Sequence, residues 1–149
     1  MKFAHINLIA QDWKKLTRFY TDVFGCQPVY PERDLKGDWI DKLTGIQGSH
    51  IKGMHLKLPG CEDGPTLEIF QYEPHKHRTG SHQINRQGFG HIAFKVENVN
   101  EMAVRVLNAG GKYYGETVEK EIPGVGILTA VYMEDVEGNI IELQNIKPV

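Results

Sequence analysis

Two histidines and two glutamates stand at matching positions in the two halves of this 149-residue sequence. His5 lies in the segment FAHINLI, and His91 lies in the similar segment FGHIAFKV. Near the end of each half, Glu68 lies in TLEIF and Glu142 lies in NIIEL. Imidazole nitrogens and carboxylate oxygens are donors that suit divalent transition metals. The repeated placement of all four residues indicates a metal site.

The residues around each candidate ligand predict a β-strand with two different faces. In the segments LEI, GHI and IEL, the neighbours on both sides of the ligand are apolar residues or glycine, so they face away from it. We expect the apolar faces to lie beneath helices and the four ligands to share the opposite, concave face. A carboxylate on a buried sheet surface is costly unless it is paired or binds a cation. One divalent ion would neutralise both acids.

The remaining pattern predicts an α+β fold built from an internal repeat, with the order strand, helix and three strands in each half. Repeat 1 covers about 1–73 and repeat 2 about 88–149, with a polar linker at about 74–87. The predicted strands are 3–10, 27–31, 51–58, 66–72, 89–96, 112–118, 127–134 and 140–146.

Three helices are predicted from apolar spacing and from their end signals. Asp12 is an N-cap and Gly25 a stop for the first helix, and the third spans about 99–109. A short helix at about 38–45 is an extra segment of repeat 1. Trp39 in this insertion either closes a ligand pocket or anchors the insertion to the body of the protein.

Composition excludes several classes of function. The net charge is −2 and no basic stripe is present, which argues against nucleic acid and anionic membranes as partners. We find no apolar run long enough to span a bilayer and no signal-peptide pattern. Cys26 and Cys61 match no metal or redox spacing, so a reducing cytoplasm is expected. We expect a small-molecule substrate and a homodimer.

Five segments of the sequence resemble the vicinal oxygen chelate superfamily, which contains glyoxalase I, bleomycin-resistance proteins and extradiol dioxygenases. The segments are FAHI at 3–6, FYTDVFG at 19–25, LEI at 67–69, GHIAF at 90–94 and DVEGNIIEL at 135–143. The resemblance implies two βαβββ modules that curl into a half-open barrel around one metal ion. It implies that the ligands of this ion are His5, Glu68, His91 and Glu142, and that the ion is Zn, Ni, Co, Mn or Fe.

The same resemblance implies a lyase or isomerase similar to glyoxalase I. In such enzymes the metal binds two adjacent substrate oxygens and stabilises an enediolate, while a carboxylate moves a proton between neighbouring carbons. Glu142 is the predicted base and Glu68 the second choice. Asn7 and Lys95 share the ligand face, where they either contact substrate or lie on the rim.

Two departures from the family pattern keep other reactions open. The segment Ile69–Tyr72 lacks the thiol-binding residues expected of an ordinary bacterial glyoxalase I. The predicted strand 51–58 holds Met54 and His55, but not the acid that methylmalonyl-CoA epimerases carry there. The leading interpretation is a lyase or isomerase of the lactoylglutathione lyase or methylmalonyl-CoA epimerase type. The alternatives are an oxygenase with ferrous iron on His5, His91 and Glu142 but not Glu68, and a non-catalytic protein that binds a small molecule. The three-ligand set of two histidines and one glutamate is also the one used by fosfomycin thiol-transferases.

Overall fold

The computed structural model describes residues 1–148, which form nine strands and three helices. The chain divides into two compact units, unit 1 (Met1–Thr79) and unit 2, which starts at Gly80. The elements of unit 1 are β1 (His5–Ile9), α1 (Trp13–Phe24), β2 (Gln27–Lys36), α2 (Asp38–Thr44), β3 (His50–Lys57) and β4 (Thr66–Glu73). Those of unit 2 are β5 (Ile92–Lys95), α3 (Val99–Asn108), β6 (Lys112–Tyr113), β7 (Val118–Ile122), β8 (Gly126–Glu134) and β9 (Ile140–Lys147).

Unit 1 is a four-stranded mixed sheet with strand order β1-β4-β3-β2. Strand β1 runs parallel to β4, whereas the other neighbouring strands are antiparallel. Helix α1 begins where the Asp12 carboxylate accepts hydrogen bonds from the first backbone N–H groups, and it ends at Gly25 with a φ of 71°. Its apolar stripe, which includes Leu16 and Tyr20, is buried together with the inner residues of β3 and β4. One face of the sheet is therefore covered, as the spacing predicts.

Unit 2 repeats this plan with strand order β5-β9-β8-β6, and β7 also pairs with β8. Strand β5 is parallel to β9, and β9 is antiparallel to β8, as their counterparts are in unit 1. Asn98 caps helix α3 through its side-chain oxygen. Val106 of this helix and Met133 and Leu143 of the sheet are fully buried. Two mixed sheets with three helices confirm the predicted α+β class.

The predicted strand at 112–118 is interrupted: β6 covers only Lys112–Tyr113, and β7, on the same edge of β8, begins at Val118. The backbone N–H groups of Tyr114 and Gly115 both donate to the carbonyl of Tyr132, as in a β-bulge. The pairing register shifts across this point, from Tyr113 opposite Met133 to Val118 opposite Ala130.

Two other predicted strands have different bounds in the structure. Strand β2 continues beyond 31 to Lys36, because its second part pairs with the start of β3 after a register shift. Strand β5 covers only Ile92–Lys95, so His91 lies just before the strand rather than within it. Both cysteines are free, and no helix within residues 1–148 has the length and apolar character needed to cross a membrane.

Candidate active site

In unit 1, His5 and Glu68 form an imidazole–carboxylate pair on neighbouring parallel strands. The register places Asn7 of β1 opposite Glu68 of β4, and His5 is two residues earlier on the same face. His5 Nε2 lies 3.4 Å from Glu68 Oε2. Asn7 Nδ2 donates a hydrogen bond of 3.1 Å to the same oxygen, which fixes the orientation of the carboxylate. The structure therefore brings together three of the residues that the sequence singled out.

Unit 2 contains an equivalent pair, formed by His91 and Glu142. Ala93 of β5 is opposite Glu142 of β9, and His91 again is two residues earlier. His91 Nε2 lies 2.9 Å from Glu142 Oε2. In each unit the histidine thus lies two residues before the residue that is opposite the glutamate, although His5 begins β1 and His91 immediately precedes β5.

The histidine and the glutamate of each pair lie at ion-pair distance, and two donors of one divalent ion lie at a similar separation. Bonds from zinc to nitrogen or oxygen are about 2.0–2.2 Å, so two donors on one ion are roughly 3.0 Å apart at right angles and roughly 3.4 Å apart in a tetrahedron. The observed separations are 3.4 Å and 2.9 Å. Within residues 1–148, no group of three or more His, Cys, Asp or Glu side chains is arranged to hold a metal ion.

His55 is a member of the unit 1 site that the sequence reasoning missed. It lies on β3 directly opposite Glu68, and its Nε2 is 3.0 Å from Glu68 Oε1. Its Nδ1 is 3.4 Å from the hydroxyl of Thr66. Burial lowers the pKa of His55, an effect that the charge of Glu68 opposes and the charges of Arg33 and His5 reinforce. Both oxygens of Glu68 therefore have imidazole neighbours.

Tyr132 occupies in unit 2 the place that His55 occupies in unit 1. It lies on β8 directly opposite Glu142, and its ring packs edge-on against His91 with centroids 5.1 Å apart. Partial burial raises the pKa of Tyr132, and the neighbouring Glu142 adds to the rise. The register thus places a histidine opposite Glu68 and a tyrosine opposite Glu142, so the surroundings of the two glutamates differ chemically.

The two other predicted substrate contacts lie in different surroundings. Trp39 of α2 lines a cavity of about 1060 Å³ in unit 1, whose wall also includes His5, His55 and Glu68. Lys95, at the end of β5 in unit 2, is solvent exposed.

Comparison with known proteins identifies the family. A model of the Glyoxalase/Bleomycin resistance protein/Dioxygenase superfamily matches residues 2–143. The chain belongs to this superfamily. None of the curated proteins matches it significantly.

Solved structures of the superfamily share the fold at low sequence identity. A glyoxalase family protein from Bacillus cereus is 20% identical with a TM-score of 0.76, covering 98% of this chain and 93% of its own. A glyoxylase/bleomycin resistance protein/dioxygenase domain from Frankia is 19% identical with a TM-score of 0.60, covering 99% and 93%. The fosfomycin resistance protein FosX from Listeria monocytogenes, complexed with Mn(II) and sulfate, is 21% identical with a TM-score of 0.56, covering 97% and 92%.

Proposed function

We propose that the protein is a divalent-metal-dependent lyase or isomerase of the glyoxalase I type. Its reaction would move a proton between neighbouring carbons of a small substrate that carries two adjacent oxygens. The observation that supports this proposal is the equivalence of the two imidazole–carboxylate pairs, which recur at the same register positions of both sheets. Membership of a superfamily in which FosX binds Mn(II) supports a metal-dependent reaction.

The proposed metal ligands are His5 and Glu68 from unit 1 and His91 and Glu142 from unit 2. Two neutral imidazoles and two carboxylates offset the charge of one divalent ion, and their mixed donors suit Zn, Ni, Co, Mn or Fe. When bound, such an ion supplies positive charge that stabilises the negative charge developing on the two substrate oxygens. Asn7 holds the Glu68 carboxylate in place by its hydrogen bond.

The contacts of the two glutamates favour Glu142 as the base. The Glu68 side chain is only 9% exposed, and its oxygens contact Asn7, His5 and His55. Among the described residues, the Glu142 side chain makes one hydrogen bond or ion pair, with His91, and it retains 17% exposure. Glu142 can therefore reorient toward a substrate carbon at a smaller cost. Glu68 would keep its place and orient His5.

Removal of the metal provides the first test. Protein treated with a chelator is expected to lose at least about 98% of its isomerase activity, because positive charge at a developing oxyanion contributes several kcal/mol. Adding one equivalent per chain of Zn, Ni, Co, Mn or Fe in turn should identify an ion that restores activity on a hemithioacetal or an acyl-CoA thioester. Full activity in the chelated protein would contradict the proposal. Tight binding of a small molecule without metal or turnover would favour a non-catalytic binding protein.

The contacts of Glu68 also support a second candidate, a three-ligand oxygenase. Since Asn7 and two imidazoles already engage this carboxylate, ferrous iron would be bound by His5, His91 and Glu142 alone. Oxygen consumption with a catechol by the iron-loaded protein would identify this activity. Oxygen consumption in place of isomerisation would replace the first proposal with the second.

The two free cysteines fit the reducing cytoplasm in which we place the protein. A homodimer is part of the same proposal, and light scattering of the purified chain would test it.

A further inference from the structure

We propose that the substrate is an organic acid with a bulky apolar body, and that this body occupies the unit 1 cavity between helix α2 and the sheet. The inference rests on the proposed function, because it names the substrate class of the same site. The evidence is the shape of that cavity, the anchoring of the helix that forms its wall and the charged residues that line it.

The unit 1 cavity connects the proposed metal ligands with an apolar wall. It starts at His5 and Glu68 and reaches the α2 residues Trp39 and Leu43. Its volume of about 1060 Å³ slightly exceeds the usual range of small-molecule sites, which is roughly 300–1000 Å³. Because Trp39 and Leu43 form this wall, a substrate that extends from the proposed metal ligands into the cavity passes along apolar side chains.

Helix α2 is anchored by residues other than its tryptophan. Ile40 is 1% exposed and packs in a cluster with Ile51 of β3 and Phe70 of β4. Trp39 and Leu43 are 56% and 73% exposed, although both line the cavity. Anchoring of the insertion thus requires Ile40 and leaves the Trp39 ring available to a ligand.

The segment after α2 is held in a fixed conformation by Asp41. Its carboxylate accepts hydrogen bonds from the Gln47 amide and from the backbone N–H groups of Gly48 and Ser49, all at 2.8–2.9 Å. The wall that carries Trp39 and Leu43 is therefore preformed, which lowers the entropy cost of binding a ligand against it.

The charges around the cavity favour an anion. Arg33 and Lys76 line it, and Glu68 is the single carboxylate among the residues that form its wall. A metal ion on Glu68 would offset that one negative charge. Arg33 of β2 is opposite Gly53 of β3, which lies two residues before His55 on the same face of the strand. Arg33 therefore lies toward the end of the cavity that holds the proposed ligands, and its guanidinium also donates a hydrogen bond to the carbonyl of Pro31. An anionic group placed there would leave the rest of the molecule against Trp39.

Two fluorescent probes that bind no metal test this assignment on the chelated protein. Anilinonaphthalene sulfonate has an aromatic body and an anionic group, whereas phenylnaphthylamine has a similar body without charge. We expect one sulfonate probe per chain, bound at least roughly fivefold more tightly than the neutral probe. Trp39→Ala should lower the affinity for both probes by roughly fivefold or more, whereas Trp39→Phe should keep most of the affinity of the natural protein. Arg33→Ala should remove the preference for the sulfonate.

Matched substitutions outside the cavity serve as controls. Tyr113→Ala removes a half-exposed aromatic ring from unit 2, and Lys15→Ala removes an exposed cation from α1. Both variants should bind the two probes as the natural protein does. Unchanged binding in Trp39→Ala would overturn the cavity assignment, and equal binding of the two probes would overturn the assignment to an acid. Because the protein holds no metal in this assay, failure here is distinguishable from failure of the metal proposal.

Discussion

Replacing Glu142 with Gln is expected to slow proton exchange at the substrate carbon by roughly 10²–10⁴-fold. Glutamine has nearly the size of glutamate and keeps a side-chain oxygen that can bind the metal ion. Its amide, however, does not accept a proton at neutral pH. The exchange is measured by following deuterium incorporation from D₂O into the substrate at saturating metal. At saturating metal every chain holds the ion, so a slower exchange reports the loss of the base and not weaker binding of the ion.

Two further substitutions control this experiment. Glu119→Gln changes an exposed carboxylate on β7, which belongs to neither imidazole–carboxylate pair, and should leave exchange unchanged. Glu68→Gln should slow exchange less than Glu142→Gln, because Glu68 orients its neighbours in the proposed mechanism. Unchanged exchange in Glu142→Gln would refute its role as the base. A larger loss in Glu68→Gln would transfer that role to Glu68.

The second prediction is that metal binding stabilises the chain through residues of both units. A metal ion at about 1000 times its dissociation constant adds about 4.1 kcal/mol to the free energy of unfolding. For a chain of this size, that corresponds to a rise in Tm of roughly 10 °C. Differential scanning fluorimetry with each candidate metal measures the rise. We expect His5→Ala in unit 1 and His91→Ala in unit 2 each to remove nearly all of it.

The comparison between the two histidine variants separates one shared ion from two independent ions. If one ion requires both pairs, the double variant should show no further loss beyond either single variant. Exposed His77 provides the control, because His77→Ala removes an imidazole that belongs to neither pair. Additive partial losses in His5→Ala and His91→Ala would contradict a shared ion.

The sequence was sufficient to predict much of the fold because its local signals agree with one another. The Asp12 cap and Gly25 stop delimit α1 correctly, and Gly45 ends α2 in the left-handed conformation that the insertion requires. The strands that carry Glu68 and Glu142 follow from apolar residues on either side of each acid. In each case a residue and its immediate neighbours determine the structure.

The features that the sequence did not reveal depend on pairing between distant strands. His55 is a neighbour of Glu68 only because the β3–β4 register places them opposite each other. The same holds for Tyr132 and Glu142 in unit 2. Residues 51–58 contain no acid, and the residue that faces Glu68 from this strand is an imidazole. The bulge at Gly115 likewise depends on how the edge strand meets β8.

The number of metal ions per chain tests the central claim most directly. Elemental analysis of the freshly purified protein, supported by native mass spectrometry, measures it for the natural chain and for His5→Ala and His91→Ala. We predict one divalent ion per chain in the natural protein and almost none in either variant. Two ions per chain, or an ion retained when either histidine is missing, would contradict a single site built from both pairs.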